Sequence, residues 1–328
     1  MKYLFCFFLL LYQYAAGQDL SKQHVPKQPY NKYIIKESTA NDSIIFYLSE
    51  FSAQVKLPLI VFIQGSGNSS LFIKGGTGQL SPTSGHISWA YAAKDKAKML
   101  IIEKPGVNFL DQLETNLAFD KKFSLESWAG SIEQVINYVI KNEKIDTAKI
   151  MIAGHSEGGI VAARVARQLG KRITHVSILA GEGPSQLYSL YRFAESGVFF
   201  DSPGSTAAQR IDSLTRTWKN IVADPLSTTK KFWGFTFLRW SSFLQTSVAE
   251  ELYDYNGKVL ILQGDSDKNV LPESANVLYT SLLSKGKTIA LKMIPGADHS
   301  FNIAGNAAIN GWELVIGKCI DWFLKTKL

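Results

Sequence analysis

The chain has 328 residues, of which 46% are hydrophobic and 19% charged, with 25 glycines and 10 prolines. That balance excludes intrinsic disorder, a collagen-like repeat and a disulfide mini-scaffold, each of which needs a far more skewed composition. Lys+Arg 35 against Asp+Glu 28 leaves a net charge of +7. The basic residues are scattered, whereas a nucleic-acid reader gathers them on one element, so no nucleic-acid partner is expected.

In chain order, the first segment reads as an export address. Lys2 supplies a positive start, Tyr3 to Tyr12 a short apolar run, and Ala15-Ala16-Gly17 small residues ahead of Gln18. This is the pattern of a cleavable signal peptide over residues 1–17. Ten apolar residues are too few to cross ~30 Å of hydrocarbon as a helix. The expectation is a secreted or periplasmic protein with no stable membrane insertion after cleavage. Cleavage removes Cys6 and leaves Cys319 alone, so no internal disulfide is expected and stability must come from the core. Cys319 falls in a helical apolar pattern with Val315, Ile316, Ile320 and Phe323, which suits a buried thiol.

A polar leader, residues 18–32, precedes short apolar runs that read as strands at 44–48, 57–63, 99–103, 150–153, 173–179, 259–262 and 289–294. Several are apolar at nearly every position, as parallel strands covered on both faces must be. Helical patterns at 126–142, 157–169, 272–285 and 307–325 alternate with them. Such alternation predicts a single α/β domain over 18–328 with a mostly parallel sheet flanked by helices. Residues 183–256 break the alternation. They hold 14 of the 39 aromatic residues, and their charges balance, which suits a helical cap or lid packing aromatic side chains over an apolar pocket.

The sharpest motif is Gly154-His155-Ser156-Glu157-Gly158-Gly159, between the strand ending at Ala153 and the helix that follows. A serine with glycine two residues away on either side, at a strand-to-helix turn, is the pattern of an exposed nucleophile at a helix N-terminus. Such a serine needs a base, and the base an orienting carboxylate. Of five histidines, His24 lies in the leader, His86 in a loop before a helix, His155 inside the turn and His175 in a strand. His299 is left, in the loop between the last strand and the last helix, at the end of a parallel sheet where ligands bind. Two carboxylates follow the penultimate strand, Asp265 and Asp267.

The turn, together with the order Ser156, Asp, His299, resembles the α/β-hydrolases from about Ile44 to the C-terminus. The resemblance implies that fold, and its Gly-x-x-Asp pattern falls on Gly264 to Asp267, naming Asp267 as the orienting acid and Asp265 as a turn former. It implies an oxyanion hole from the amide of Glu157 and from Gly65 and Ser66, in a glycine-rich turn after the strand 57–63. Gln64 departs from the family there, where many members carry histidine. The turn Glu103-Lys104-Pro105-Gly106-Val107 also resembles the family and reads as structural. The run 74–78 lacks the Gly-Lys-Ser/Thr of a phosphate loop, and no zinc-binding spacing occurs, so no cofactor or metal is implied.

The resulting expectation is an exported serine hydrolase of carboxylic esters, taking a small-molecule or peptide acyl substrate. A peptidase of the prolyl-oligopeptidase or aminopeptidase type is the alternative. Glu195, Asp201, Glu250 or Glu251 would then be candidate anchors for a peptide amine. A non-catalytic binding protein on the same fold is a third reading.

Overall fold

The computed structural model describes residues 20–36, 43–51, 55–112, 115–305 and 308–325; the expected signal peptide lies outside them. One nine-stranded sheet organises the chain. Its strands are β1 (Leu20–His24), β2 (Tyr30–Lys36), β3 (Ser43–Ser49), β4 (Leu57–Ile63), β5 (Lys98–Ile102), β6 (Ile145–His155), β7 (His175–Leu179), β8 (Lys258–Gly264) and β9 (Ile289–Ile294). Their spatial order is β1-β2-β3-β5-β4-β6-β7-β8-β9. From β5 to β9 every pairing is parallel, and the first three strands run antiparallel at one edge.

The expected strands all appear, for the reason their composition suggested. Leu59, Val61 and Ile63 of β4 enter one apolar layer, while Ile60 and Phe62 enter the other. A strand buried on both faces has no position left for polar residues. On one face pack Leu125–Asn142 (α2), Gly158–Leu169 (α3) and Pro272–Leu283 (α8). On the other pack His86–Ala93 (α1) and Gly311–Leu324 (α9). Ser124 and Asn310 cap α2 and α9 by accepting backbone N–H groups, and Pro272 opens α8 where its missing N–H costs nothing. Cys319 is a fully buried thiol facing Ser177 at 3.1 Å, and burial pushes its pKa up to about 12.

Two expectations need correction. The polar leader, for which no strand was expected, contains β1 and the start of β2, which pair as a hairpin. Tyr30, Tyr33 and Ile35 are buried and anchor β2 on β3, whereas the polar residues of β1, an edge strand, hid the pattern. His86 is not in a loop but starts α1, fully buried, with its Nε2 3.0 Å from the Leu71 carbonyl.

Residues 183–256 contribute no strand to the sheet. They form Leu187–Ser196 (α4), Ala207–Ala223 (α5), Phe237–Leu244 (α6), Val248–Leu252 (α7) and a short hairpin at 231–236. Leu190, Ala194, Leu214, Ile221, Trp240 and Leu244 make a small core of their own. Lys231 pairs with Asp120 at 2.6 Å and ties this segment to the main layers. Further along, Val248, Ala249 and Leu252 enter the main core beside α3.

Glu251 lies there, 1% exposed at its side chain, held by Arg164 at 2.8 Å and Arg167 at 3.3 Å. Burial alone would raise its pKa, but the hydrogen bonds of Arg164 and Thr246 and the Arg164 charge hold it below the usual carboxylate value. Replacing Glu251 by Gln should therefore destabilise the protein by about 3 kcal/mol at neutral pH, as expected when a buried pair loses one charge. A depressed pKa gives stability that is present above the unfolded value and lost as pH falls through the folded one. Thermal melts of wild type and variant should accordingly converge on acidification.

Candidate active site

The strand β6 ends at His155, and the chain enters α3 through Ser156. Ser156 has φ +55°, a left-handed conformation that residues with a Cβ rarely adopt. Its amide donates to the Leu179 carbonyl at 2.9 Å, and its own carbonyl accepts from Gly159 at 2.9 Å. The turn is feasible only because its flanks are glycine. A Cβ on Gly154 would fall on the Gly158 carbonyl, and one on Gly158 would fall on the Ile63 carbonyl of β4. The loop leaving β4 is equally close, since a Cβ on Gly65 would lie 3.1 Å from that of Ser156.

Three loops at the C-terminal end of the parallel strands meet at this serine. His299 Nε2 lies 2.9 Å from Ser156 Oγ, and His299 Nδ1 lies 2.8 Å from Asp267 Oδ2. A carboxylate can only accept, so Nδ1 carries the proton and Nε2 is left to receive one from the serine. Asp267 Oδ1 accepts from the amides of Asn269 at 2.8 Å and Val270 at 3.0 Å, while Gln263 Nε2 donates to Oδ2 at 3.0 Å. Burial pushes its pKa up. The hydrogen bond and charge of His299, with the two amides, outweigh burial and keep it below the ordinary value. Asp265 makes a different structure: it accepts from the Gly296 amide at 2.7 Å and the Ser266 hydroxyl at 3.1 Å. Asp298 braces the histidine loop by accepting from the amides of Ser300 and Asn302.

His155, inside the turn, faces the same loop. Its Nε2 donates to the His299 carbonyl at 2.9 Å. Burial, then the charge of His299, lowers its pKa to about 4, so it acts as a neutral brace. His175 is buried edge-on against Trp322 and Phe323, far from the serine in the fold, and burial likewise lowers its pKa to about 4. His24 lies in β1 beside Asn31.

The sequence model of the prolyl oligopeptidase family matches residues 227–317, less than a third of the chain. Comparison with curated protein sequences gives no match. Among solved structures, Est1E from Butyrivibrio proteoclasticus with ferulic acid bound superposes at TM-score 0.56 and 18% identity, over 86% of this chain and 95% of that one. Acetyl xylan esterase 1 from Thermoanaerobacterium gives TM-score 0.57 and 13% identity, over 95% and 89%. The acylaminoacyl peptidase of Pyrococcus horikoshii gives TM-score 0.56 and 14% identity over 91% of this chain, which spans only 41% of that longer one. The chain has the α/β-hydrolase fold.

In this fold a cavity of about 370 Å³ opens at Ser156, with Ser66, Glu157 and His299 also on its lining. Phe193, Phe199, Trp233, Phe235 and Trp240, all from residues 183–256, form its aromatic wall. Two charged residues in it escaped sequence reasoning. Glu182, 6% exposed, accepts from Ser274 at 3.0 Å, and burial raises its pKa to about 7. Its position three residues past the end of β7, at the carboxyl edge of the sheet, was the available signal. Arg239 of α6 forms a buried ion pair with Glu157, and its guanidinium lies 4.0 Å from the centroid of Trp240 and 4.9 Å from Phe235 and Phe243. Burial lowers its pKa to about 9. A lone charge in the aromatic run Phe235-Thr236-Phe237-Leu238-Arg239-Trp240 was the clue there.

None of the four acidic residues considered as amine anchors lines this cavity. Glu195 pairs with Arg192, Asp201 with Arg210, and Glu250 with Ser247 at the start of α7. Glu251 is consumed by its two arginines.

The steric argument at the turn is directly testable. Gly158→Ala should destabilise the protein by about 3 kcal/mol, the upper range for overpacking. Gly130→Ala, in α2 with open space around its Cα, should be neutral or slightly stabilising. Thermal denaturation of both variants checks the contrast.

Proposed function

We propose that this serine hydrolase cleaves carboxylic esters with an aromatic or otherwise apolar acyl group, through an acyl-enzyme on Ser156. Ser156 Oγ attacks the ester carbonyl while His299 Nε2 takes its proton. Asp267 keeps the imidazole in the required tautomer and stabilises the imidazolium that forms. The carbonyl oxygen becomes negative and is received by the backbone amides of Glu157 and of the Gly65–Ser66 turn. His299 then protonates the departing alcohol, and water, activated by the same histidine, releases the acid.

The observation that carries the ester reading is the aromatic wall beside Ser156. An apolar acyl group gains its binding energy there, and the cap formed by residues 183–256 would shield it from water. Est1E, crystallised with an aromatic acid, is a relative in fold that supports this reading. The family match at 227–317 and the buried carboxyl of Glu182 favour a second reading, a peptidase taking a substrate with a free amine. We further propose export by cleavage after Gly17, which intact-mass measurement of the secreted protein would check: the chain should begin at Gln18.

Nitrophenyl esters of graded acyl size, assayed beside aminoacyl anilides, separate the two substrate classes. Aryl and medium-chain esters should turn over fastest; turnover confined to anilides, or to very small or charged esters, would overturn the ester reading. Ser156→Ala and His299→Ala should each cut kcat by several powers of ten, and only the protein with Ser156 should be labelled by a fluorophosphonate. Asp267→Asn should slow turnover by up to ~10⁴ with the fold intact. Asp265→Asn should leave chemistry largely unchanged.

A further inference from the structure

We propose that Lys104 is a positioning residue for the oxyanion hole, turning the Ser66 amide toward the catalytic cavity from behind the loop. This rests on the serine-hydrolase reading above and extends it to the turn Glu103-Lys104-Pro105-Gly106, which sequence reasoning treated as structural only.

Lys104 lies two residues past the end of β5 and is 3% exposed. Its Nζ donates to the Gly65 carbonyl at 2.5 Å and to the Gly67 carbonyl at 2.8 Å, the two carbonyls flanking Ser66. A trans peptide unit is planar, with its C=O and N–H pointing in opposite directions, and no cis peptide occurs among the described residues. The unit that joins Gly65 to Ser66 therefore has its carbonyl toward Lys104 and its N–H directed away. Ser66 lines the cavity that holds Ser156 and His299, and Gly65 presses against Ser156 itself. The ammonium thus selects the orientation of the peptide plane on which an oxyanion donor depends.

The surroundings of Lys104 argue against a simple salt-bridge role. Among the described residues it makes no ion pair with a carboxylate. Its sequence neighbour Glu103 is engaged by the Tyr47 hydroxyl at 2.7 Å, the Ser70 hydroxyl at 2.6 Å and the Leu71 amide at 3.1 Å. What receives the charge is the pair of carbonyls and two ring faces, with Nζ 4.8 Å from the Trp128 centroid and 5.5 Å from Phe123. Burying an ammonium in this way is costly. Burial, and then the nearby charge of Arg239, lowers its pKa to about 7. An apolar side chain would pack against Trp128 and Phe123 at lower cost, but it could not hold both carbonyls.

The test is Lys104→Met beside Lys104→Gln, in the full-length protein, with an ester that the wild type hydrolyses. Turnover and Ser156 labelling of the wild type come first, because their absence would remove the serine-hydrolase reading and not this inference alone. Displacing one oxyanion donor should lower kcat of Lys104→Met by about ten- to a hundredfold, somewhat less than outright removal of a donor. KM should stay within about threefold, because the ground-state carbonyl gains little from the donor. Inhibition by an aryl trifluoromethyl ketone, which adds to the serine as a tetrahedral anion, should weaken by the same factor as kcat. Lys104→Gln, neutral but still an N–H donor, should lose less. Should Lys104→Met not fold, Lys104→Gln alone decides by the same two readouts. A folded variant whose melting temperature falls while kcat and ketone affinity match wild type would show a merely structural lysine and overturn the proposal. A rise in KM at unchanged kcat would overturn it equally.

Discussion

The site depends on one constraint, that the chain must hold Ser156 at positive φ between a buried strand and a helix. A strained residue costs on the order of 1–3 kcal/mol and persists only where its surroundings over-determine it. Here the backbone of β4, the carbonyl of Leu179 and the first turn of α3 close in on the serine from separate directions. Glycines 154, 158 and 65 are the points at which those backbones come within contact of each other or of the serine. The apolar core on both faces of the sheet supplies the burial that offsets this strain.

The same frame sorts the charges around the serine. Asp267 and Glu182 are both buried carboxyl groups near His299, but they meet opposite environments. Two backbone amides and the imidazole surround Asp267 and favour its ionised form. Glu182 has a serine hydroxyl for a partner, and burial raises its pKa to about 7. Two carboxyl groups pushed apart in this way take different parts in a site. The cationic side is equally divided. Arg239 ties α6 to Glu157, the residue that follows Ser156, so the aromatic segment is joined to the turn at that serine. Lys104 reaches the opposing loop from beneath.

Much of this was legible in the sequence because it is written in short-range patterns. Continuous apolar runs signal parallel strands wherever both faces are covered, and all seven such runs are strands of the sheet. The turn from Gly154 to Gly158 is legible because its steric rule acts over five consecutive residues. Ser156 and His299 could be chosen because each lies just past a recognisable strand, whereas position alone left Asp265 and Asp267 open and the family resemblance favoured Asp267. The fold joins Ser156, His299 and Asp267 within hydrogen-bond distance. The hairpin of β1 and β2 was not legible, since one of its strands is a polar edge whose pairing alone identifies it.

What the sequence by itself determined was the layer architecture, the tight turn at Ser156 and the residue types around it, all consequences of local periodicity and local sterics. What only the tertiary structure decided was which charges are spent on one another and which face the cavity. Glu251 looked like a free acid until the fold brought Arg164, 87 positions away, against it. Arg239 meets Glu157 across 82 positions, and Lys104 meets Gly65 across 39. No periodicity carries such pairings, because they arise where loops from separate strands converge after the sheet has formed.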